Sequence, residues 1–319
     1  MQATTPHYKT KNVRVCVVGA GSIGSLHVEL HANNISINDL AVIETDPSLQ
    51  DTFRTQGYTV YDSLEASFVE QYDVYDICLP TFLHKHAIEL ILEKTDAKIM
   101  SEKPLVLNSD EFLNLIDSHK DMSERLVCAY VERFNDPFIQ AEAWSRAHSG
   151  PYTMHFTRRT KKPIRQDWFS NPEKGGDVIL DLAIHDIDAS LWFCKSTFKK
   201  VISYTRIGDS EILKIEFNDG SVATYEMGWD ISSDSEEGII NNFTVDTSNA
   251  AYHYDSKTES IAMGSKTQNV MPRFPMAYQK EMNAAEILPA HIDSSFASIQ
   301  DIEQAYQIIN ALQHKRNNE

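Results

Sequence analysis

Residues 12–24 read NVRVCVVGAGSIG: an apolar, β-branched run leads directly into three glycines spaced G-x-G-x-x-G, Gly19, Gly21 and Gly24. Few folds place such a motif between a strand and a helix. Gly19 allows the tight turn, Gly21 leaves room for a diphosphate to approach the backbone, and Gly24 lets the following helix pack close to the strand. The helix N-terminus then offers the N–H groups of Ser22 and Ile23, and the positive end of its dipole, to the phosphates.

The chain downstream keeps the rhythm that this motif demands. LAVIET (40–45), YTVYDS (58–63), VYDICLP (74–80), AKIMSEKP (97–104) and RLVCAYVERF (125–134) read as further strands, alternating with helical stretches near 25–31, 84–94 and 109–120. In the last of these helices Ser109 is the expected N-cap, with Phe112, Leu113, Leu115 and Ile116 turned inward. Strands alternating with helices predict a parallel, doubly wound sheet. The pattern changes after about residue 131. Residues 152–160 and 199–275 carry short β-branched and aromatic runs, and Asn218-Asp219-Gly220 reads as a hairpin turn. The expected fold is therefore α/β: an N-terminal Rossmann domain over 1–131, then an α+β domain over 132–319 built on a large, mostly antiparallel sheet. A final helix, about 298–314, is free to pack back on the first domain.

Charge limits the partners. There are 29 Lys plus Arg against 46 Asp plus Glu, a formal charge of −17, which argues against a nucleic-acid partner. Cys16, Cys78, Cys128 and Cys194 form no C-x-x-C pair, so neither a disulfide framework nor a zinc site is expected. His27 and His31, in HVELH, lack the metalloprotease spacing and read as helix-surface residues. No secretory leader and no membrane-length apolar run is evident, so a cytoplasmic location is the expectation.

An acid about 20 residues past the glycines would accept from a ribose 2′-hydroxyl and repel a 2′-phosphate. Glu44 stands there and favours NAD over NADP, with Asp46 as the competing candidate. The apolar stretch GGDVILDLAIHDID (175–188) poses a second question, because it carries Asp177, Asp181, His185, Asp186 and Asp188. If helical, it sets Asp181 and His185 one turn apart on one face. Hydroxyl oxidation by hydride transfer needs a base for the proton and a cation to stabilise the developing alkoxide. His185 can relay a proton, Asp181 can orient the hydroxyl or favour the charged imidazole, and Lys103 at a strand's carboxyl end can polarise the oxygen. A structural Asp–His hydrogen bond is the alternative; an ion shared by this pair finds no further ligands in the sequence.

GAGSIG, PTFLHKHA (80–87), SEKPL (101–105) and GGDVILDLAIHDID, in this order, resemble the Gfo/Idh/MocA oxidoreductases, which include glucose–fructose oxidoreductase and inositol dehydrogenase. The likeness runs from Val13 to about Leu312 and is loose after 230. It implies that Lys103, Asp181 and His185 form the catalytic group, with either Lys103 or His185 as the formal base. It also implies that Glu102, Pro80, Thr81 and His84 lie beside the cofactor, with His84 otherwise an ordinary helix-start residue. Arg133 lies near the substrate or else in a domain-interface salt bridge. By the same likeness the second sheet is open-faced and buries that face in a homodimer or homotetramer. The basic run RRTKKPIRQDWF (158–169) falls near the family's substrate pocket. Arg159, Lys161 or Arg165 could grip an anionic substrate there and Trp168 could stack on a sugar ring, or the run is a solvated loop. The expected function is NAD(P)-dependent oxidation of a secondary hydroxyl of a sugar, cyclitol or sugar derivative, anionic and nucleotide-linked ones included. A glycosidase with transient hydride transfer and an idle NAD-binding sensor are the rivals.

Overall fold

The computed structural model describes residues 13–316 apart from 164–167, 169–170, 172, 271–273, 287 and 289–291. The first half runs β1 (Val13–Val18), α1 (Ser22–Ala32), β2 (Ile37–Ile43), α2 (Pro47–Thr55), β3 (Thr59–Tyr61), α3 (Leu64–Ser67), β4 (Val74–Ile77), α4 (Thr81–Lys94), β5 (Lys98–Glu102), α5 (Ser109–Ser118), α6 (Met122–Arg125) and β6 (Leu126–Ala129). Its six strands pair in the order β3-β2-β1-β4-β5-β6, all parallel. Successive residues of β1 point to opposite faces. Val15 and Val17 enter one apolar cluster while Cys16 and Val18 enter another, because helices cover both sides of the sheet. The order reverses between β1 and β4, which opens a crevice at the strands' carboxyl ends.

Some local readings shift by a few residues. Asn108, not Ser109, caps α5, its side chain accepting from the Glu111 N–H at 2.9 Å. Phe112 and Leu115 are buried, whereas Leu113 is exposed. The sixth strand stops at Ala129, and Val131–Phe134 forms a 3-10 turn.

The second half runs α7 (Asp136–Ala147), β7 (Thr153–Lys161), a π-helical turn (Ile179–Ala183), α8 (Ile184–Cys194), β8 (Phe198–Ile207), β9 (Ser210–Phe217), β10 (Val222–Ile231), β11 (Ile240–Asp246), β12 (Ala251–Asp255), β13 (Ser260–Met263), β14 (Lys266–Asn269), α9 (Phe274–Glu286) and α10 (Ile299–Arg316). The eight strands pair in the order β14-β13-β12-β11-β7-β10-β9-β8; all contacts are antiparallel except β7 with β10. The hairpin at 218–220 joins β9 to β10, with Gly220 at φ +86°. One sheet face packs Phe156, Tyr225 and Phe243 against Phe138 of α7 and Phe193 of α8. The opposite face presents partly exposed residues such as His155 and Glu226. Helix α10 returns to the first sheet's helices: Tyr306 Oη bonds both the N–H (2.8 Å) and the carbonyl (2.6 Å) of Val106, and its ring stacks on Phe112. All four cysteines are free and buried.

Candidate active site

The glycine motif closes as its spacing requires. Gly19 sits at φ +90°, and a Cβ on Gly24 would lie 1.9 Å from the Gly19 carbonyl oxygen, so no side chain fits there. Around Gly21 a Cβ would meet nothing within 4 Å, leaving the space a diphosphate needs. No side chain caps the N-terminus of α1, so its first-turn N–H groups face a cleft of about 890 Å³ lined by Gly19, Gly21, Ser22 and Ile23.

Glu44 also lines this cleft, just past the end of β2. Its carboxylate accepts from the Ala20 N–H (2.8 Å), the Thr45 N–H (2.7 Å) and the Asp46 N–H (2.9 Å), which fixes it over the glycine turn. Asp46 has a different task. It caps α2 by accepting from the Ser48 and Leu49 N–H groups, and the Ser48 hydroxyl bond, with these two, holds its carboxyl below the usual range. Gly19, Gly21, the α1 N-terminus and Glu44 together suit a dinucleotide.

Lys103 and Asp181 line the same cleft. The Lys103 ammonium donates to the Asp181 carbonyl at 2.9 Å and lies 3.3 Å from its Oδ1. Trp229 Nε1–H donates to Asp181 Oδ2 at 2.9 Å. The carboxylate is thus held on both oxygens, and Trp229, on β10, is a site residue that sequence reasoning missed. Only the fold brings position 229 to position 181.

The helix that posed the question answers it residue by residue. Asp177 accepts from the Ile179 and Leu180 N–H groups and pairs with Arg316. Asp186 pairs with Arg158, which also binds Glu132, all buried. Asp188 takes a two-pronged bond from Arg133 at 2.8 Å on each oxygen. Asp181 alone turns its carboxylate to the cleft. The segment Ile179–Ala183 is π-helical, so the one-turn α-helical phase expected for Asp181 and His185 does not hold. The Asp181 carboxylate bonds Lys103 and Trp229 rather than the imidazole. His185 is buried with Nδ1 unpartnered, and burial, then the charges of Lys103 and Arg158, push its pKa well below the ordinary value. The expectation that Asp181 favours a charged His185 is corrected: His185 is a neutral imidazole.

Several other candidates fall elsewhere. Arg133 is locked to Asp188 and does not line the cleft; its guanidinium lies over the Trp192 ring. Arg159 is tied to Asp230 on the outer part of β7 and likewise does not line it. His84 is buried, with its ring nitrogens 2.9 Å from the Pro104 carbonyl and 2.7 Å from the Leu79 carbonyl. It therefore clamps the turn bearing Pro80 and Thr81 to the loop after Lys103; Pro80 and Thr81 line the cleft and His84 itself does not. Lys161 does line it, although its ammonium is bound to the Ser233 (3.0 Å) and Ser235 (2.6 Å) carbonyls. Trp168 lines it too, 6.5 Å from the Phe82 ring, as do Glu102, Lys162 and Tyr278. Arg165 lies outside the described residues. His27 and His31 are fully buried, not on the helix surface, and both bond Asp76.

A doubly wound domain with a dinucleotide cleft, and an ammonium–carboxylate pair where a second domain closes over it, define an NAD(P)-dependent oxidoreductase. Comparison with known proteins gives the same class. Residues 13–130 match the model described as an oxidoreductase family with an NAD-binding Rossmann fold, and residues 150–253 match the GFO/IDH/MocA C-terminal domain. The chain is 24% identical to an inositol 2-dehydrogenase of Renibacterium salmoninarum over 289 residues, covering 85% of each. It is 22% identical to a D-glucoside 3-dehydrogenase of Escherichia coli, covering 93% of this chain and 92% of that one. Among solved structures, GenD2 from gentamicin A biosynthesis in complex with NAD superposes with a TM-score of 0.81 at 17% identity, covering 98% of this chain and 96% of that one. The chain belongs to the Gfo/Idh/MocA family, whose sugar and inositol dehydrogenases act on CH–OH groups. Among the described residues no helix is long and apolar enough to cross a membrane.

Proposed function

We propose that this protein oxidises a secondary hydroxyl of a sugar, cyclitol or sugar derivative, using NAD in preference to NADP, with Lys103, Asp181 and His185 as its catalytic group. The observation that carries this reading is the Lys103–Asp181 pair, braced by Trp229, in the same cleft as the glycine turn and Glu44. When bound, NAD supplies the hydride acceptor. Lys103 stabilises negative charge developing on the substrate oxygen, as a preorganised cation in a partly buried site does efficiently. Asp181, anchored on both oxygens, orients the hydroxyl. His185, buried behind the cleft and held toward its neutral form by burial and by the charges of Lys103 and Arg158, can relay the proton that leaves but not retain it. Glu44 favours NAD because its carboxylate, held by three N–H groups, would repel a 2′-phosphate. Trp168 offers the substrate an apolar face, and Lys161 and Lys162 give that side of the cleft a positive character that suits anionic sugars.

Absorbance at 340 nm tests this with a panel of neutral, acidic and nucleotide-linked sugars and cyclitols, each with NAD and NADP. A rise with one class and a preference for NAD is expected. Glycoside cleavage without net NADH would replace this reading by the hydrolytic one, and no turnover despite NAD binding would replace it by a sensor.

A further inference from the structure

Behind the cleft, where α1, β4, β5 and α9 meet, lies a buried polar cluster outside the reaction described above. His27 and His31 come from α1, Asp76 and Cys78 from β4 and its end, Glu102 from β5, and Tyr278 and Glu281 from α9. Asp76 Oδ2 takes bonds from two imidazoles, His27 Nδ1 at 2.8 Å and His31 Nε2 at 3.0 Å. The other nitrogen of His27 stands 3.4 Å from Glu102 Oε1, within ion-pair range but without a hydrogen bond. The second oxygen of Glu102 accepts from the Lys103 N–H at 3.2 Å. The chain of contacts thus runs from the helix that begins at the glycine turn to the residue that carries the ammonium.

A metal is the first alternative to weigh. His27, Asp76 and Cys78 place one ligand atom each within 4.8 Å of one another. The two Asp76–imidazole separations, however, are hydrogen-bond lengths, whereas a tetrahedral zinc with ligands at its usual distances holds neighbouring donors about 3.3–3.8 Å apart. Protons, not an ion, fit the spacing.

We propose that His27 is a positioning residue for this enzyme: pinned through Nδ1 by Asp76, it faces Glu102 with Nε2 at ion-pair distance and so steadies the Glu102–Lys103 turn from which Lys103 reaches Asp181. The groups that face it agree. Burial alone would push His27 down, but Asp76, with a contribution from Cys78, outweighs burial and the net direction is well upward, which favours the imidazolium. Burial, then the nearby Glu102, keep Glu281 protonated. The Tyr278 phenol is also pushed up by burial and is neutral. His27 therefore lies between Asp76, which it bonds, and Glu102, which it faces at 3.4 Å, and His31 steadies Asp76 from its far side.

The proposal rests on the dehydrogenase reading only for its kinetic consequence, so its test has an arm that does not. Nitrogen-15 NMR of the wild-type histidines at pH 8, with His27 assigned by its loss in His27→Gln, should show both ring nitrogens of His27 protonated; a neutral ring overturns the proposal whatever the enzyme's activity. In the kinetic arm, His27→Asn keeps a donor toward Asp76 but is too short for Glu102, whereas His27→Gln carries an amide out to the Nε2 position. His27→Asn should keep its melting temperature and NADH affinity but lose roughly tenfold or more in kcat. His27→Gln should stay within about threefold of wild type. Folded His27→Asn with wild-type kcat overturns the proposal, as does one equivalent of tightly bound metal in the purified wild-type protein. Should neither variant fold, the NMR measurement decides, with assignment by exclusion through His31→Asn and the exposed histidines.

Discussion

Trp229→Phe isolates the residue that the sequence did not reveal. Trp229 Nε1–H lies 2.9 Å from Asp181 Oδ2, and among the described residues the other side chain bonded to that carboxylate is Lys103 at 3.3 Å. Phenylalanine keeps an aromatic ring against the core but removes the donor. A hydrogen bond to a charged acceptor contributes about 1.5–3 kcal/mol. At about 1.36 kcal/mol per decade, losing it from the orientation of Asp181 lowers kcat by about 10- to 150-fold. The dinucleotide groups are untouched, so NADH affinity, read by fluorescence titration, stays at the wild-type value. Melting temperature reports whether the ring still packs. Wild-type kcat in a folded Trp229→Phe with normal NADH binding would refute the claim that Asp181 works only when held on both oxygens.

Three further outcomes are expected. Glu44→Gln removes the charge that opposes a 2′-phosphate, and the Kd ratio of NADP to NAD should fall by roughly 10- to 100-fold, about 1–3 kcal/mol for unlike charge environments at this range, as competitive titration would show. Arg158→Met strands Glu132 and Asp186, both buried, and should lose about 3–5 kcal/mol in urea unfolding. His185 has a folded pKa below its unfolded value, so below pH ~6.5 the unfolded state binds more protons and stability falls as pH falls. In His185→Gln that part of the slope disappears, and the melting-temperature difference from wild type, followed from pH 7.5 to 5, should shift in the variant's favour as pH drops.

What could be read in advance was what local chemistry dictates. The glycine spacing fixed a turn, a helix start and a phosphate-sized gap, because a Cβ at Gly24 has nowhere to go. Alternating runs gave the six parallel strands, and Asn218-Asp219-Gly220 gave its hairpin. Long-range partners could not be read. Trp229 reaches Asp181 across 48 positions, and Asp76 draws His27 and His31 into the core from 49 and 45 positions away. Nothing in HVELH distinguishes a solvated helix face from one pinned by a distant carboxylate. Arg133 and Arg159 looked available to a substrate because their acceptors, Asp188 and Asp230, are adjacent only after folding. Helices α7 and α9 lacked a legible period, and with α9 went Tyr278 at the cleft and Glu281 beneath it.

The central claim is that one cleft binds the dinucleotide and, through Lys103, supports chemistry on a hydroxyl. The measurement that tests it most directly is steady-state NADH formation at 340 nm by Lys103→Met beside wild type, with the best substrate of the panel and with NAD binding titrated separately. The account predicts a loss of at least about 100-fold in kcat, the scale of a removed transition-state stabiliser, at NAD affinity within a few-fold of wild type. A Lys103→Met protein that binds NAD and turns over at the wild-type rate would contradict it.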